Sequence, residues 1–298
     1  MTRRDGRRLF CLGLGYCAES LARHLSVADW YVGGTARSAD KVAALATKGI
    51  DAVQWEGGPP SDLVIQKLRD ATHILVSVPP DEHGDPAFAA TADVIASAPH
   101  LQWLGYLSTT GVYGDTGGRV VDETEPVNPS GARGQRRVEA EREWISLFHD
   151  RGVPVHVFRL PGIYGPGRSV FDQIRRRQAK RIDKPGHAFS RIHVDDIALV
   201  LAASMHQPAP GEIYNVCDDE AAPPAEVTEY ACSLLGIEPP PLEDFEAAKA
   251  RMTPMALSFW NDNRRVSNAK IRESLGVRLK YPDYRSGLQA ILLEEDEA

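Results

Sequence analysis

Two short stretches near the start of the chain carry residues whose types and spacing could hold a phosphorylated ligand. Gly13-Leu14-Gly15-Tyr16-Cys17-Ala18 is a Gly-x-Gly-x-x-Ala turn. In such a turn the first glycine permits a tight bend, the second lets the backbone approach a pyrophosphate, and the small third residue lets helix and strand pack closely. The helix N-terminus that follows presents free N–H groups and a partial positive charge. An ordinary strand-to-helix turn would use the same residues, so the motif takes its meaning from its flanks. At roughly the 20-residue distance that dinucleotide binding requires, Thr35-Ala36-Arg37-Ser38 ends a second apolar run. NAD sites usually place an acid there to accept from the ribose 2′-hydroxyl. No acid stands here, and Arg37, with Ser38 and Lys41 beyond, can surround a 2′-phosphate with charge-assisted donors. The expected cofactor is NADP rather than NAD, held by Gly13, Gly15, Tyr16, Cys17, Ala18, Thr35, Arg37 and Ser38.

The elements that must position these residues can be read from periodicity. Leu9 to Leu12 is a short apolar run that suits a buried strand, and from Ala18 the spacing turns helical, with Leu21, Ala22 and Leu25 on one face. Trp30 to Thr35 reads as the second strand, Lys41 to Lys48 as a helix with Val42, Leu45 and Ala46 inward, and Ile50 to Trp55 as a third strand. Leu63, Ile65 and Leu68 suggest a short helix. His73 to Val78 is a β-rich run stopped by Pro79-Pro80, a central strand whose end, Ser77, Val78 and Pro79, should open onto the cofactor. A helix from about 86 to 97, a strand from Leu101 to Leu107, a helix from about 135 to 148 and a strand from Pro154 to Arg159 complete six βα alternations. Strands apolar on both faces, alternating with helices, predict an α/β fold with a doubly wound parallel sheet of the Rossmann kind. Beyond Gly162 the punctuation by Gly and Pro becomes irregular, which predicts a smaller C-terminal lobe. The division expected is a Rossmann domain over 1–166, also receiving elements from about 187–216, and a substrate-binding lobe over most of 167–298, interleaved with it. The acidic tail, Glu294 to Glu297, is expected to fray.

Charge and composition exclude several classes. With 34 basic and 41 acidic side chains the net charge is −7, which argues against general nucleic-acid binding. A 43% hydrophobic, 25% charged chain has the balance of a soluble globular protein, and no apolar run approaches the roughly 18 residues of a membrane span. Arg3-Arg4 and Arg7-Arg8 imitate an export signal, but the glycine turn interrupts the apolar stretch behind them, so they read as a solvated basic start before the first strand. Cys11, Cys17, Cys217 and Cys232 lack Cys-x-x-Cys spacing, and the nine histidines show no zinc pattern. Free thiols, a cytoplasmic location and no metal are expected.

Three later stretches complete the picture: Ser108-Thr109-Thr110-Gly111-Val112-Tyr113-Gly114, Arg159-Leu160-Pro161-Gly162-Ile163-Tyr164-Gly165-Pro166-Gly167, and Arg191-Ile192-His193-Val194-Asp195-Asp196. Together with the glycine turn, in this order over nearly the whole chain, they resemble the extended short-chain dehydrogenase/reductases, the NAD-dependent epimerase/dehydratase family. The resemblance implies a nicotinamide cofactor, hydride transfer and a C-terminal substrate lobe. It implies that Thr109 stands where the family's Ser/Thr bonds the substrate oxygen, and that Pro161 and Ile163 lie by the cofactor. Many members dimerise through two sheet-flanking helices, although subgroups differ.

Two departures mark the chain as an atypical member. Gly13-x-Gly15-x-x-Ala18 replaces the usual Gly-x-x-Gly-x-x-Gly. In Pro129 to Glu141, Arg133 occupies the place of the catalytic tyrosine and Arg137 that of the lysine. A guanidinium stays protonated at any working pH, so Arg133 can stabilise an oxyanion but cannot pass a proton. Arg137 can still donate to ribose hydroxyls. Thr109, Tyr113, Arg133 and Arg137 are therefore the catalytic candidates, with Tyr113 or Tyr164 as replacement phenols. Tyr164, Arg175, Arg176 and His193 are the substrate-binding candidates. The basic run Arg175 to Arg181 could clamp a phosphate or carboxylate, or could be a solvated helix face. His193 could be a pocket base or a packed histidine, and Asp195 is expected to cap the next helix. Two function classes follow: an NADP-dependent oxidoreductase or epimerase-like enzyme on a small anionic hydroxyl or carbonyl compound, and an NADP-binding sensor without turnover.

Overall fold

The computed structural model describes residues 6–296. Seven strands form one parallel sheet: β1 (Arg7–Leu12), β2 (Trp30–Ala36), β3 (Asp51–Gln54), β4 (His73–Val76), β5 (Trp103–Thr109), β7 (Val155–Leu160) and β11 (Ile213–Asn215). Their order, β11-β7-β5-β4-β1-β2-β3, reverses direction between β1 and β4. That reversal opens a crevice beyond the C-terminal ends of the two strands. Between strands run α1 (Tyr16–Leu25), α2 (Ala39–Ala46), α3 (Asp62–Asp70), α4 (Pro86–Ala96) and α5 (Ala132–Arg151).

The period-two alternation of each strand divides the core into two layers. Leu9, Cys11, Leu75, Trp103 and Phe158 face α1 and a later helix, α7 (Val194–His206). Phe10, Leu12, Ile74, Val76, Leu104 and Tyr106 face the side covered by α3, α4 and α5. Every residue of β4 and β7 is buried, as central parallel strands require, whereas the edge strand β3 is half-buried at most.

The remaining elements build the smaller lobe, except the last but one, which packs Ile271 and Leu275 into the core of the sheet. They are β6 (Val120–Val121), β8 (Gly162–Tyr164), α6 (Val170–Arg175), β9 (Arg181–Asp183), β10 (Arg191–His193), α8 (Pro224–Leu234), β12 (Leu242–Asp244), α9 (Phe245–Lys249), α10 (Pro254–Asn261), β13 (Arg265–Val266), α11 (Ala269–Leu275) and α12 (Tyr284–Asp296). Three two-stranded parallel pairs, β8 with β10, β9 with β12 and β6 with β13, join distant stretches of chain. The lobe is thus threaded through the Rossmann sheet, since α7 and β11 return to it. Among the described residues no helix is long and apolar enough to cross a membrane, and all four cysteines are buried free thiols.

Several local expectations are corrected. On α2 only Leu45 is buried and Ala46 is exposed, and on α3 Val64 and Leu68, not Leu63, face inward. Helix α5 begins at Ala132 and carries Arg133 in its first turn. Arg7 and Arg8 belong to β1, their guanidiniums over the rings of Trp30 and Tyr31, while Arg3 and Arg4 lie outside the described residues. The basic run is no helix face: α6 stops at Arg175, and Arg177 has φ +56°. The described part of the tail is helical through Asp296, with Arg175 Nη1 donating to Glu295 Oε1 at 2.8 Å, while Glu297 lies outside the described residues.

Candidate functional site

A cavity of about 550 Å³ opens over the glycine turn at the sheet's reversal point. Gly13 has φ +89°, its N–H donates to Thr35 Oγ1 at 2.9 Å, and the hydroxyl of Ser77 donates to its carbonyl. A Cβ at Gly13 would come within 3.1 Å of Ser77 and Val78, so the turn needs glycine for both reasons. At Gly15 a Cβ would meet nothing within 4 Å, and no side chain caps α1. The second glycine thus leaves open space in front of an uncapped helix N-terminus. Ala18 is fully buried between helix and sheet.

Arg37 and Ser38 line the same cavity, as do Thr35, Ser77, Val78 and Pro79. Arg37 forms no ion pair or side-chain hydrogen bond among the described residues. Lys41 is ion-paired with Glu19, so it is less free to meet a 2′-phosphate than its spacing suggests. Tyr16 and Cys17 do not line the cavity. The Tyr16 hydroxyl donates to Pro166 O at 3.0 Å, and burial pushes its pKa up to about 12; burial raises the Cys17 thiol to about 11.

Pro79 and Pro80 also line a second cavity, of about 570 Å³, so the two are contiguous. Into it come Thr109 from the end of β5, Arg133, Arg136 and Arg137 from α5, and Arg264 from the lobe. Thr109 Oγ1 accepts the Gly111 N–H at 3.1 Å, which orients the hydroxyl and leaves its own proton to donate. Arg137 Nη1 donates to Leu107 O at 2.8 Å and to the Tyr106 hydroxyl at 3.1 Å, fastening this cation to the end of β5. Arg133 is exposed, its guanidinium 5.9 Å from the centre of the Phe259 ring. Arg136 and Arg264 went unrecognised in the sequence. The spacing of Arg133, Arg136 and Arg137 at three and four residues could have placed Arg136 on the same helical face. Arg264 has no local signal at all.

Tyr113, offered above as a replacement phenol, is only 1% exposed and lines neither cavity. Its hydroxyl accepts from Arg159 Nη1 at 2.9 Å and donates to Asn215 Oδ1 at 2.8 Å. Arg159 in turn pairs with buried Glu141, Nη2 to Oε2 at 2.7 Å. Burial raises the Tyr113 pKa further. This phenol is a structural strut between β7, β11 and α5.

The other substrate candidates separate. Tyr164, Ile163 and Arg176 line a third cavity, of about 600 Å³, within the lobe, and Pro161 lines none of these cavities. The Tyr164 hydroxyl donates to Asp283 O at 3.3 Å. Arg175 is turned to Glu295. His193 is buried and caps α7, its Nδ1 accepting the Asp195 N–H at 3.2 Å, with burial lowering its pKa to about 4. The expected cap, Asp195, instead accepts from Ser20 Oγ at 2.8 Å.

The chain is similar to several known proteins. The family described as NAD dependent epimerase/dehydratase matches residues 78–217. Protein YeeZ of Escherichia coli K12 is 28% identical over 290 residues, covering 93% of this chain and 97% of that protein. A functionally unknown conserved protein from Silicibacter pomeroyi superposes with a TM-score of 0.89 at 50% identity, over 97% of this chain and 99% of that one. A dTDP-glucose 4,6-dehydratase from Bacillus anthracis, solved with NAD, shares the fold with a TM-score of 0.78 at 18% identity, over 98% of this chain and 97% of that one.

Proposed function

The chain belongs to the NAD-dependent epimerase/dehydratase family, and from that premise we propose that it is an NADP-dependent oxidoreductase or epimerase-like enzyme acting on a small anionic hydroxyl or carbonyl compound. The observation that carries this reading is Arg37, which forms no ion pair among the described residues although Glu56 and Asp81 line the same cavity, in a cavity contiguous with one rich in arginine. The residues fit a dinucleotide phosphate: open space at Gly15, an uncapped helix start, and a cation where an NAD site would hold an acid. Bound there, the cofactor would supply or accept a hydride. Reducing a carbonyl also requires a proton at the carbonyl oxygen, and none of the guanidiniums can release one. Thr109 donates to that oxygen and relays a proton from solvent, and the positive field of the guanidiniums around the cavity favours the developing negative charge.

Titration calorimetry with NADP and NAD tests the cofactor assignment. NADP should bind at least about tenfold more tightly, and Arg37→Ala should weaken NADP while sparing NAD. Equal binding of the two, or equal loss in the variant, sinks it. One observation favours a second reading, an NADP-binding sensor: among the described residues no tyrosine lines the arginine cavity. NADPH incubated with a panel of carbonyl compounds separates the two, since firm binding with no loss of reduced-nicotinamide absorbance supports the sensor.

A further inference from the structure

Four guanidiniums, those of Arg133, Arg136, Arg137 and Arg264, line the second cavity, and among its described lining residues Asp262 is the one carboxylate. Asp262 is already matched: Arg264 Nη1 donates to its Oδ2 at 2.7 Å and to Gly114 O at 3.1 Å. Arg137 is fastened to β5. Arg133 and Arg136 form neither ion pair nor hydrogen bond among the described residues. They sit one turn apart on α5, where like charges repel unless an anion lies between them. The backbone of Gly131 to Gly134, the start of α5, lines the same cavity, and no side chain caps it. Its free N–H groups add donors on the wall that carries the two unmatched cations.

The other wall limits what can enter. Ser258 and Phe259 of α10 line this cavity, whereas the next residue, Trp260, lines the lobe cavity, and no residue lines both. Helix α10 is therefore a partition. Trp260 anchors it, packed between Phe245, His187 and Phe189.

Resting on the reading of this cavity as the substrate site, we infer that the substrate is a compact phosphate monoester, its phosphate gripped by Arg133, Arg136 and the first N–H groups of α5. Arg133 and Arg136, whose side chains have no ion-pair or hydrogen-bond partner among the described residues, can each meet a charged oxygen of a dianion, and Arg137, held only by neutral acceptors, adds a third positive charge beside them, which a single carboxylate would leave mostly unbalanced. A ligand reaching into both this cavity and the lobe cavity would have to pass α10, so a substrate held by Arg133 and Arg136 is confined to one of them.

The test uses the full chain saturated with NADP, so that the phosphate-binding turn of the first cavity is filled, and titrates inorganic phosphate and UDP separately by calorimetry. Phosphate should bind saturably. Arg133→Gln and Arg136→Gln should each weaken it by roughly tenfold or more, with melting curves showing that both variants fold. Arg176→Gln, in the lobe cavity, should leave phosphate affinity unchanged. Absent phosphate binding, or binding indifferent to Arg133 and Arg136, overturns the inference. So does UDP binding more tightly than phosphate and weakened by Arg176→Gln. If NADP itself does not bind, the cofactor assignment falls alone, and phosphate titrated into the Arg37→Ala chain without cofactor still decides this point.

Discussion

Thr109 and Tyr113 are four residues apart and meet opposite fates. Thr109 ends β5 at the arginine cavity with its proton free to donate, whereas Tyr113, after one 3-10 turn, is driven under the sheet's edge against Arg159 and Asn215. Their variants should diverge accordingly. Tyr113→Phe leaves a buried guanidinium and a buried amide each short of one partner, which should cost about 1–3 kcal/mol of stability while NADPH turnover by the folded protein is retained. On the proposed mechanism Thr109→Val removes the donor to the carbonyl oxygen and should lower kcat by about 10²-fold with NADPH affinity unchanged. Thermal melts and steady-state kinetics on the two variants check both. A Tyr113→Phe protein that melts normally but has lost turnover would restore the phenol as proton donor.

At the scale of the element, the strand-turn-helix unit around Gly13 and Gly15 separates the demands of folding from those of binding. Gly13 adopts φ +89° against Ser77 and Val78, so Gly13→Ala should destabilise the fold by about 1–2 kcal/mol. Gly15 has φ −98°, which any residue can adopt, and open space where a side chain would begin. Gly15→Ala should therefore melt as the wild type does, yet bind NADP at least about tenfold more weakly, because the methyl group occupies the line of approach to the backbone. Wild-type NADP affinity in Gly15→Ala, read by calorimetry beside a melting curve, would remove the turn from the cofactor site. Helix α7 is capped by His193, because Asp195 and Asp196 lie inside its first turn and accept, respectively, from Ser20 and from the backbone of Lys280 and Tyr281.

For the whole molecule, the packed histidines dictate a pH response. His156 Nε2 accepts the Ala209 N–H at 2.9 Å and His193 Nδ1 accepts the Asp195 N–H at 3.2 Å, so in each ring the accepting nitrogen must carry no proton. Burial lowers both pKa values to about 4, against an unfolded value near 6.5. As pH falls below 6.5 the unfolded chain takes up protons that the folded chain refuses. The stability these two rings contribute is thus fully present above pH 6.5 and is lost progressively between there and 4. Scanning calorimetry should show these two rings pulling the midpoint down between pH 6.5 and 5, against the opposite pull of Asp218, whose carboxyl is raised to about 8 by burial. His193→Asn keeps an acceptor at the cap and removes the titration, so its profile should be flatter over that interval. An unchanged slope would assign the acid sensitivity elsewhere.

Local pattern determined much of this protein. The alternation of Leu9-Phe10-Cys11-Leu12 sends successive side chains to opposite core layers, and the 3.6-residue repeat from Ala18 places α1 over one of them. The order of such units implies a parallel doubly wound sheet, and the glycines between them mark its crevice. Those signals are legible because each depends on neighbours within a few residues. Arg37 was legible for the same reason, lying directly beyond the end of its strand. What only the tertiary structure decided is which distant side chains share a cavity. Arg264 reaches the arginines of α5 because β13 pairs with β6, a contact between residues 120–121 and 265–266 that no spacing announces. Tyr113 left the list of proton donors because Asn215 and Arg159, from other strands, meet its hydroxyl underneath the site. The basic run from Arg175 to Arg181 dispersed because α6 ends after one of its arginines, which sends Arg175 to α12, Arg176 to the lobe cavity and Arg181 to Glu229. A side chain's type sets the chemistry it can do, but the direction it points depends on how the lobe's loops close over the sheet. That closure is a long-range packing outcome with no period in the chain.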